Sequence, residues 1–352
     1  DEVVIYPNIS KTNFTLKGLN YSTKYYWQVS VSDGINPFVL SAVRAFTTTA
    51  FSSARLLFVK KSVENNVIYS GDDSGNQLRL TSLDVNSWRP RKNNQIKKIA
   101  FIRASGSQNH IYTMNPDGSG IFKVTNSIPI AGFNSDFLNF SWNTSGSQII
   151  YPYFDKLYRI NSDGSGLTKI YQTPNGKFIS ECDWSNDGSK IAWKVNDSNG
   201  YNAEIYVISP AGALITQVWS GTTGAIGGLN FSITGQKLVF TRDVSGYEDA
   251  NYRQLDTRVF RYFFSSTTAS EISLEKPAGT VDLDVRYSPN EAELIIMNTS
   301  NDGVSTKNIV KCTPAANNSA GVSRTIIFAN ASMPDWEWYI FLRQKKHLIR
   351  MN

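Results

Sequence analysis

The chain has 352 residues, of which 41% are hydrophobic and 12% aromatic, whereas only 18% carry a charge. The sequence contains no run of 18 apolar residues, the length that a membrane-crossing helix needs. Its length allows two or three domains or one large all-β domain. The formal net charge is +6, but four positive charges lie in residues 343–350, which leaves 6 − 4 = +2 for the rest. This distribution argues against a basic nucleic-acid-binding face.

Residues 1–50 contain two or three alternating strands and no sign of the repeat that follows. The segment LNYSTKYYWQV (19–29) resembles the Leu-x-Pro-Gly-Thr-x-Tyr-x-Val/Trp-x-Val segment of fibronectin type III domains. The resemblance implies a partial β-sandwich in which Tyr25 is the tyrosine-corner residue and Val43–Thr48 is the last strand. It covers about half of a domain of this kind, so we expect a spacer at the start of a sequence that begins inside a longer protein.

A unit of four short strands recurs from about residue 55 to residue 338. Its clearest copies are residues 136–173 and 178–219, where Asn/Asp/Gly clusters separate β-rich runs as hairpin turns do. Trp142 precedes Ile149 by seven residues, and Trp184 precedes Ile191 by seven. The conserved offset indicates an internal repeat and not a chance similarity.

Six first-strand positions mark the repeat, with a mean spacing of about 50 residues: Trp88, Trp142, Trp184, Ile233, Tyr287 and Trp338. The unit beginning at Arg55 lacks a first strand, and the C-terminal end has a spare one. The two ends therefore complete one sheet. This arithmetic predicts an all-β, six-bladed β-propeller of four-stranded blades, closed between its N- and C-terminal strands, which leaves few open sheet edges.

The strings DWSNDGSKIAW and IYTMNPDGSGIFKVT resemble the repeat of TolB-type six-bladed propellers. The resemblance covers residues 55–338 and weakens in the fifth and sixth blades, where 243–256 and 313–324 look like insertions. That family includes a periplasmic accessory protein that binds partner peptides, propeller parts of prolyl oligopeptidase-type peptidases and a lyase acting on pectin fragments, so it implies a fold and not one function. The expected domains are 1–50, a propeller over 51–342 and a basic C-terminal tail over 343–352.

Polar residues alternate with apolar ones along the predicted first strands, which border the channel of a propeller. Because side chains of a strand alternate between faces, we expect a polar set beside the channel: Asn139, Glu181, Asp183, Asn230, Asp284, Arg286 and Asp335. One interpretation is an acidic channel mouth that binds a cation or a basic or hydroxyl-rich ligand. The other is that these residues line a water-filled channel and have only a structural role. Tyr247, in the long loop 242–256, completes the candidate binding residues.

Metal and catalytic chemistry find little support. The Asp/Gly turns at 72–75, 115–118 and 161–164 offer oxygen ligands for calcium, but a calcium site needs more ligands along a longer loop, and such turns are typical of hairpins. We therefore predict no cofactor, with calcium as the remaining alternative. Neither His110, which we place in a loop, nor His347 has a second histidine nearby, which argues against a histidine metal site. No Gly-x-Ser-x-Gly elbow of a serine hydrolase occurs. Two cysteines, Cys182 and Cys312, are too few for a disulfide framework.

Three long loops, 197–203, 242–256 and 300–307, favour one function above the others. Loops held by a rigid scaffold commonly bind partners, so we expect a non-catalytic, monomeric binding or scaffold propeller of an exported bacterial protein, periplasmic or at the cell surface. Its partner would be a protein or a glycan, without nucleic-acid binding or membrane insertion. The alternatives are a polysaccharide-active lyase or glycosidase, which would depend on Glu181, and a purely structural spacer.

Overall fold

The computed structural model describes residues 6–7, 9–14, 16, 24–48, 56–72, 75–272, 275–314 and 323–336. The predictions for residues 19–23, Trp338 and the basic tail lie outside these ranges. The chain divides into two compact units, Asp1–Ser53 and Ala54–Asn352.

The first unit contains two antiparallel strand pairs. Strand β1 (Lys24–Trp27) pairs with β4 (Arg44–Thr47), and β2 (Ser30–Val31) pairs with β3 (Val39–Leu40). The rings of Tyr25 and Phe46 stack across the first pair with centroids 5.7 Å apart. Strand β4 occupies the position predicted for the last strand of this unit.

The second unit consists of six four-stranded antiparallel sheets. Their strands, from the inner to the outer edge, are β28 (Ser332–Trp336), β5 (Leu56–Lys61), β6 (Asn66–Gly71) and β7 (Gln77–Arg79); β8 (Ser87–Asn93), β9 (Lys98–Ser105), β10 (Gln108–Met114) and β11 (Phe122–Lys123); β12 (Ser141–Trp142), β13 (Gln148–Tyr153), β14 (Lys156–Asn161) and β15 (Thr168–Gln172); β16 (Phe178–Trp184), β17 (Ile191–Asn196), β18 (Glu204–Ile208) and β19 (Leu214–Trp219); β20 (Ile226–Phe231), β21 (Lys237–Asp243), β22 (Thr257–Phe263) and β23 (Thr268–Glu271); β24 (Thr280–Tyr287), β25 (Leu294–Ser300), β26 (Asn308–Thr313) and β27 (Ser323–Phe328). We number these sheets as blades 1 to 6.

The inner strands close a ring. Strands β28, β8, β12, β16, β20 and β24 contact one another in that cyclic order, and the C-terminal β28 pairs with the N-terminal β5 through Trp336 opposite Leu56. The predicted six-bladed propeller with closure between the two ends is therefore confirmed. Two short 3-10 helices, Ser135–Phe137 and Pro174–Gly176, lie in connections between blades.

Apolar side chains pack between neighbouring blades, as the β-rich runs of the repeat require. Between blades 4 and 5, for example, fully buried Ala192 and Ile205 belong to one cluster with Leu229 and Phe240. Within the described ranges, no helix combines the length and apolar composition needed to cross a membrane.

The strand register corrects three of the six predicted repeat positions. In every blade one inner-strand residue pairs with the first apolar residue of the second strand, and we call it position zero. These residues are Trp336, Lys92, Trp142, Trp184, Phe231 and Tyr287. Trp88 was therefore four residues early and Ile233 two residues late, whereas Trp142, Trp184 and Tyr287 are correct. Trp336, and not Trp338, pairs with Leu56.

Candidate binding site at the channel mouth

Connections in an up-and-down blade alternate between two faces of the ring. Those from the second to the third strand therefore share a face with those that lead into the next blade. The loops 197–203, 244–256 and 301–307 all follow second strands, namely β17, β21 and β25. We call their common side the loop face. The inner strands begin there, so their first residues form the mouth of the channel on this face.

Position minus one of each inner strand forms what we call the inner ring. Its six residues are Arg91, Ser141, Asp183, Asn230, Arg286 and Asp335. Four of these side chains accept a hydrogen bond from the backbone N–H at position zero of the next blade. The pairs are Asp335 with Lys92 at 2.8 Å, Ser141 with Trp184 at 3.0 Å, Asp183 with Phe231 at 2.7 Å and Asn230 with Tyr287 at 2.9 Å.

This pattern gives the inner-ring polar residues a structural task. A buried backbone N–H without a partner costs free energy, and here the side chain of the preceding blade satisfies it. Ser141 also donates to Asp183 Oδ1 at 3.0 Å, and Asn230 donates to Asp183 Oδ2 at 3.2 Å. The ring thus ties consecutive blades together by side chain to backbone contacts.

A second layer lies at position minus three, nearer the loop face. It contains Arg89, Asn139, Glu181 and Asp284. Arg89 forms a hydrogen-bonded ion pair with Asp284. Although burial alone would raise the pKa of Asp284, the charges of Arg89 and Arg91 lower it.

The backbone at minus three is bulged in four blades. Register shifts occur there in β8, β20, β24 and β28, and φ is positive at Arg89 (53°), Gly228 (67°), Asp284 (50°) and Met333 (52°). A bulge turns an extra residue toward one face of a strand.

Glu181 and Lys194 form a buried ion pair beside the mouth. Glu181 Oε1 lies 3.6 Å from Lys194 Nζ, and Oε2 accepts from the backbone N–H groups of Gly228 (2.7 Å) and Leu229 (3.3 Å). Lys194 has no exposed surface and donates to the Ile226 carbonyl at 2.8 Å. Burial lowers the pKa of Lys194, and the charge of Glu181 opposes that shift.

Two rings of an aromatic cluster contact Lys194. We call the cluster the aromatic cap, and its members are Phe133, Phe137, Tyr201 and Tyr252. The ammonium lies 5.2 Å from the Phe133 ring centroid and 5.6 Å from that of Tyr252, within the range of cation–π attraction. The rings of Tyr252 and Phe133 pack edge to face with centroids 4.8 Å apart. Gly200 makes this packing possible, because a Cβ there would lie 2.4 Å from the Phe133 ring.

The three long loops join into one surface. The backbone N–H of Asp249 donates to the Tyr201 hydroxyl at 3.0 Å, which links loop 244–256 to loop 197–203. The Arg253 guanidinium donates to the Asn301 carbonyl at 2.8 and 2.6 Å, and the Asn301 amide donates to Leu255 O at 2.9 Å. The loops of blades 4, 5 and 6 are therefore a continuous rim.

A cavity of about 70 Å³ opens at the channel mouth below this rim. Polar residues on its wall include Arg89, Glu181, Thr241, Gln254, Asp284 and Lys307. Ligand pockets for drug-sized molecules are commonly several hundred Å³. This cavity is the size of a few water molecules or one small group.

The structure places the predicted site residues in distinct environments. It brings Asp183, Asn230, Arg286 and Asp335 together in the inner ring and Asn139, Glu181 and Asp284 in the second layer, but leaves Tyr247 on the rim, 41% exposed. The expected acidic mouth is in fact mixed in charge. Arg89, Arg91 and Lys194 lie among the carboxylates, because each acidic side chain has a basic neighbour.

Sequence reasoning missed Arg89 and Arg91. Both follow Trp88 in the string WRPRK, and the misplaced repeat position put them outside the predicted polar set. The offset of seven residues between position zero and the second strand, counted back from Ile99, leads to Lys92 and then to Arg91 at minus one.

The remaining candidates have structural environments. His110 lies within β10 and not in a loop, and its Nδ1 contacts the Thr125 carbonyl at 2.6 Å. In the predicted hairpin turns, Asp117 and Asp163 each accept from the serine two residues later in their own turn. The described residues contain no group of three or more metal-ligating side chains placed to hold an ion.

Taken together, ring, register and closure define the protein as a six-bladed β-propeller, and comparison with solved structures shows that the fold is TolB-like. TolB from Acinetobacter baumannii is similar with a TM-score of 0.57 and 13% identity over 89% of this chain and 83% of that one. A protein assigned as TolB from Agrobacterium tumefaciens gives 0.56 and 13% over 79% and 90%. The nidogen/laminin complex gives 0.54 and 12% over 74% and 89%. No family model and no curated protein matches the sequence.

Proposed function

We propose that this protein is a non-catalytic binding propeller that recognises a protein or glycan partner with its loop face and channel mouth. The observation that carries the proposal is the rim, in which the loops of three consecutive blades are held together by direct hydrogen bonds. A rigid scaffold with a continuous loop surface is a common arrangement for recognition. A ring used only as a spacer would not need one.

The rim presents apolar groups to a partner between its polar contacts. Tyr247 is 41% exposed, and Val304 is 88% exposed at the tip of loop 301–307. Aromatic residues of this kind are enriched where protein interfaces bury surface. The likeness of the fold to that in a complex of nidogen with laminin supports a protein partner.

The buried state of the acidic residues supports a binding role over catalysis. Glu181, the residue on which a polysaccharide-active enzyme would depend, is 4% exposed and engaged by two backbone N–H groups and Lys194. We further propose that the protein is exported to the bacterial periplasm or cell surface, as the TolB-like fold suggests, and that residues 1–50 belong to a fibronectin type III-like spacer.

The test is a glycan array together with affinity capture, followed by quantitative binding of the identified partner to variants. Tyr247→Ala and Val304→Asp should weaken binding at least tenfold. Ile121→Ala is the matched control, since Ile121 is 44% exposed in a connection between third and fourth strands on the opposite face. Equal effects of all three substitutions, or no partner in either assay, would overturn the proposal.

A further inference from the structure

Arg91 and Arg286 depart from the rule that governs the inner ring. The four other members accept a backbone N–H from the next blade, but a guanidinium has no acceptor atom. At these two places the next blade supplies a tryptophan instead. The indole of Trp142 donates to the Arg91 carbonyl at 3.0 Å, and that of Trp336 donates to the Arg286 carbonyl at 3.3 Å. The arginine side chains therefore satisfy no backbone N–H group of the next blade, although they donate to carbonyl or amide oxygens of neighbouring blades.

Both guanidinium groups are buried with donors to spare. Arg91 donates from Nε to Asn139 Oδ1 at 3.0 Å and from Nη1 to Pro90 O at 2.8 Å and Pro334 O at 3.3 Å. Arg286 donates from Nη1 to Leu229 O at 3.2 Å. Among the described residues, Arg91 Nη2 and both Nε and Nη2 of Arg286 have no hydrogen-bond partner.

The nearest carboxylates do not neutralise these cations at hydrogen-bonding distance. Arg91 Nη1 lies 4.0 Å from Asp335, and Arg286 Nη1 lies 3.9 Å from Asp183. Burial, reinforced by the neighbouring charge of Arg286, lowers the pKa of Arg91 to about 9. Buried donors without a partner are costly, so these N–H groups have unused capacity to bind an acceptor.

The cavity at the mouth is not lined by Arg91 or Arg286 but by the residues two positions before them, Arg89 and Asp284. Arg89, only 2% exposed, lies on its wall, and its Nε also lacks a partner among the described residues. Arg91 and Arg286 follow two residues beyond Arg89 and Asp284 on the same inner strands, one layer deeper in the channel. A volume of about 70 Å³ excludes a sugar chain or a nucleotide and suits a planar group of a few atoms.

We propose that the channel is a carboxylate-binding site in which Arg91 and Arg286 hold the anion and Arg89 lies at its entrance. The planar guanidinium fork matches a carboxylate with two parallel hydrogen bonds. The carboxylate is either a free small acid or the side chain of an aspartate or glutamate that a partner inserts at the mouth. Insertion of a partner's side chain depends on the proposed binding function, whereas the carboxylate site itself does not.

The experiment measures acetate binding by the whole chain at constant ionic strength, with chloride as the exchanged anion. The midpoint of thermal unfolding should rise with acetate concentration, as expected for a ligand of the native state. Arg91→Gln and Arg286→Lys should each lower the acetate affinity at least tenfold. Arg258→Gln, which removes a surface guanidinium paired with Asp256 and Glu271, should leave it unchanged.

Two peptide arms distinguish the sources. If the source is an inserted side chain, a short capped peptide with one aspartate should bind, and the Arg91→Gln substitution should weaken that binding. The same peptide with asparagine in place of aspartate should not bind. Binding of acetate without binding of the peptide identifies a free acid. The absence of any acetate-dependent shift, or an equal shift in wild type and both channel variants, would overturn the proposal. An inner-ring arginine that served only the fold would lower the midpoint equally with and without acetate.

Discussion

Removal of Lys194 is the sharpest test of the buried pair at the mouth. Lys194→Met keeps the length of the side chain but leaves the Glu181 carboxylate without its counter-charge in a site where Lys194 is wholly buried and Glu181 is 4% exposed. Breaking a buried pair by removing one partner costs about 3–5 kcal/mol. Because the Tyr252 hydroxyl still donates to Ile226 O at 3.3 Å and two backbone N–H groups still donate to Glu181, we expect the lower end, about 3 kcal/mol.

A double-mutant cycle separates the charge pair from the loss of packing. Glu181→Gln alone should cost about 3 kcal/mol for the same reason, while Lys194→Met combined with Glu181→Gln should cost little more than either change. The coupling energy is then about 2–3 kcal/mol, at the upper end of the range for contacting residues. The free energy of unfolding, from equilibrium denaturation in guanidinium chloride at pH 7, gives all four corners of the cycle.

The matched control is the ion pair of Lys177 and Glu204, 2.7 Å apart but with side chains 26% and 21% exposed. Solvent screens such a pair, so Lys177→Met should cost less than about 1 kcal/mol. If Lys194→Met cost no more than Lys177→Met, or if the two changes in the cycle were additive, the role assigned to the buried pair would be refuted.

Three further changes test other parts of the structure. Gly200→Ala should destabilise by at least about 2 kcal/mol, because φ is +91° and the new Cβ would meet Phe133; a thermal midpoint equal to wild type would contradict the packing of the aromatic cap. Cys182 and Cys312 should not react with a thiol reagent in the native protein at pH 8, because burial raises the pKa of both thiols, that of Cys312 to about 12, and both should react after unfolding. Asp187 should titrate by NMR with a pKa of about 2, since hydrogen bonds from its own turn outweigh burial. Its contribution to stability is therefore present above pH 3.8 and lost as the pH falls toward 2. A measured pKa near 3.8 would contradict the turn geometry.

The repeat made the fold predictable. Blades 3 and 4 carry the same alternation and the same turns, and the equal offsets from Trp142 to Ile149 and from Trp184 to Ile191 aligned them correctly. Closure followed from counting the strands at the two ends. These features are local or periodic, so the sequence expresses them directly.

All three misplaced repeat positions lie in blades whose inner strand is bulged, although the position in the bulged strand β24 was predicted correctly. In β8 the register shifts between Trp88 and Arg91, so a tryptophan that resembles the repeat residue lies four positions away from it. Tyr252 could not have been found either, because its contacts with Phe133, Phe137 and Tyr201 join loops of three different blades. Contacts between loops leave no periodic mark in the sequence.

The inner ring also shows how far polarity can indicate a site. Asp183, Asn230 and Asp335 attracted attention as polar residues on strands beside a channel, yet each accepts a backbone N–H of the neighbouring blade. Polar residues at this position are therefore what the ring itself requires. The informative residues are those that cannot perform this task, and at Arg91 and Arg286 the structure keeps buried donors free. Arg91 and Arg286, which depart from the inner-ring pattern, are therefore the residues at which the proposed ligand site should be tested first.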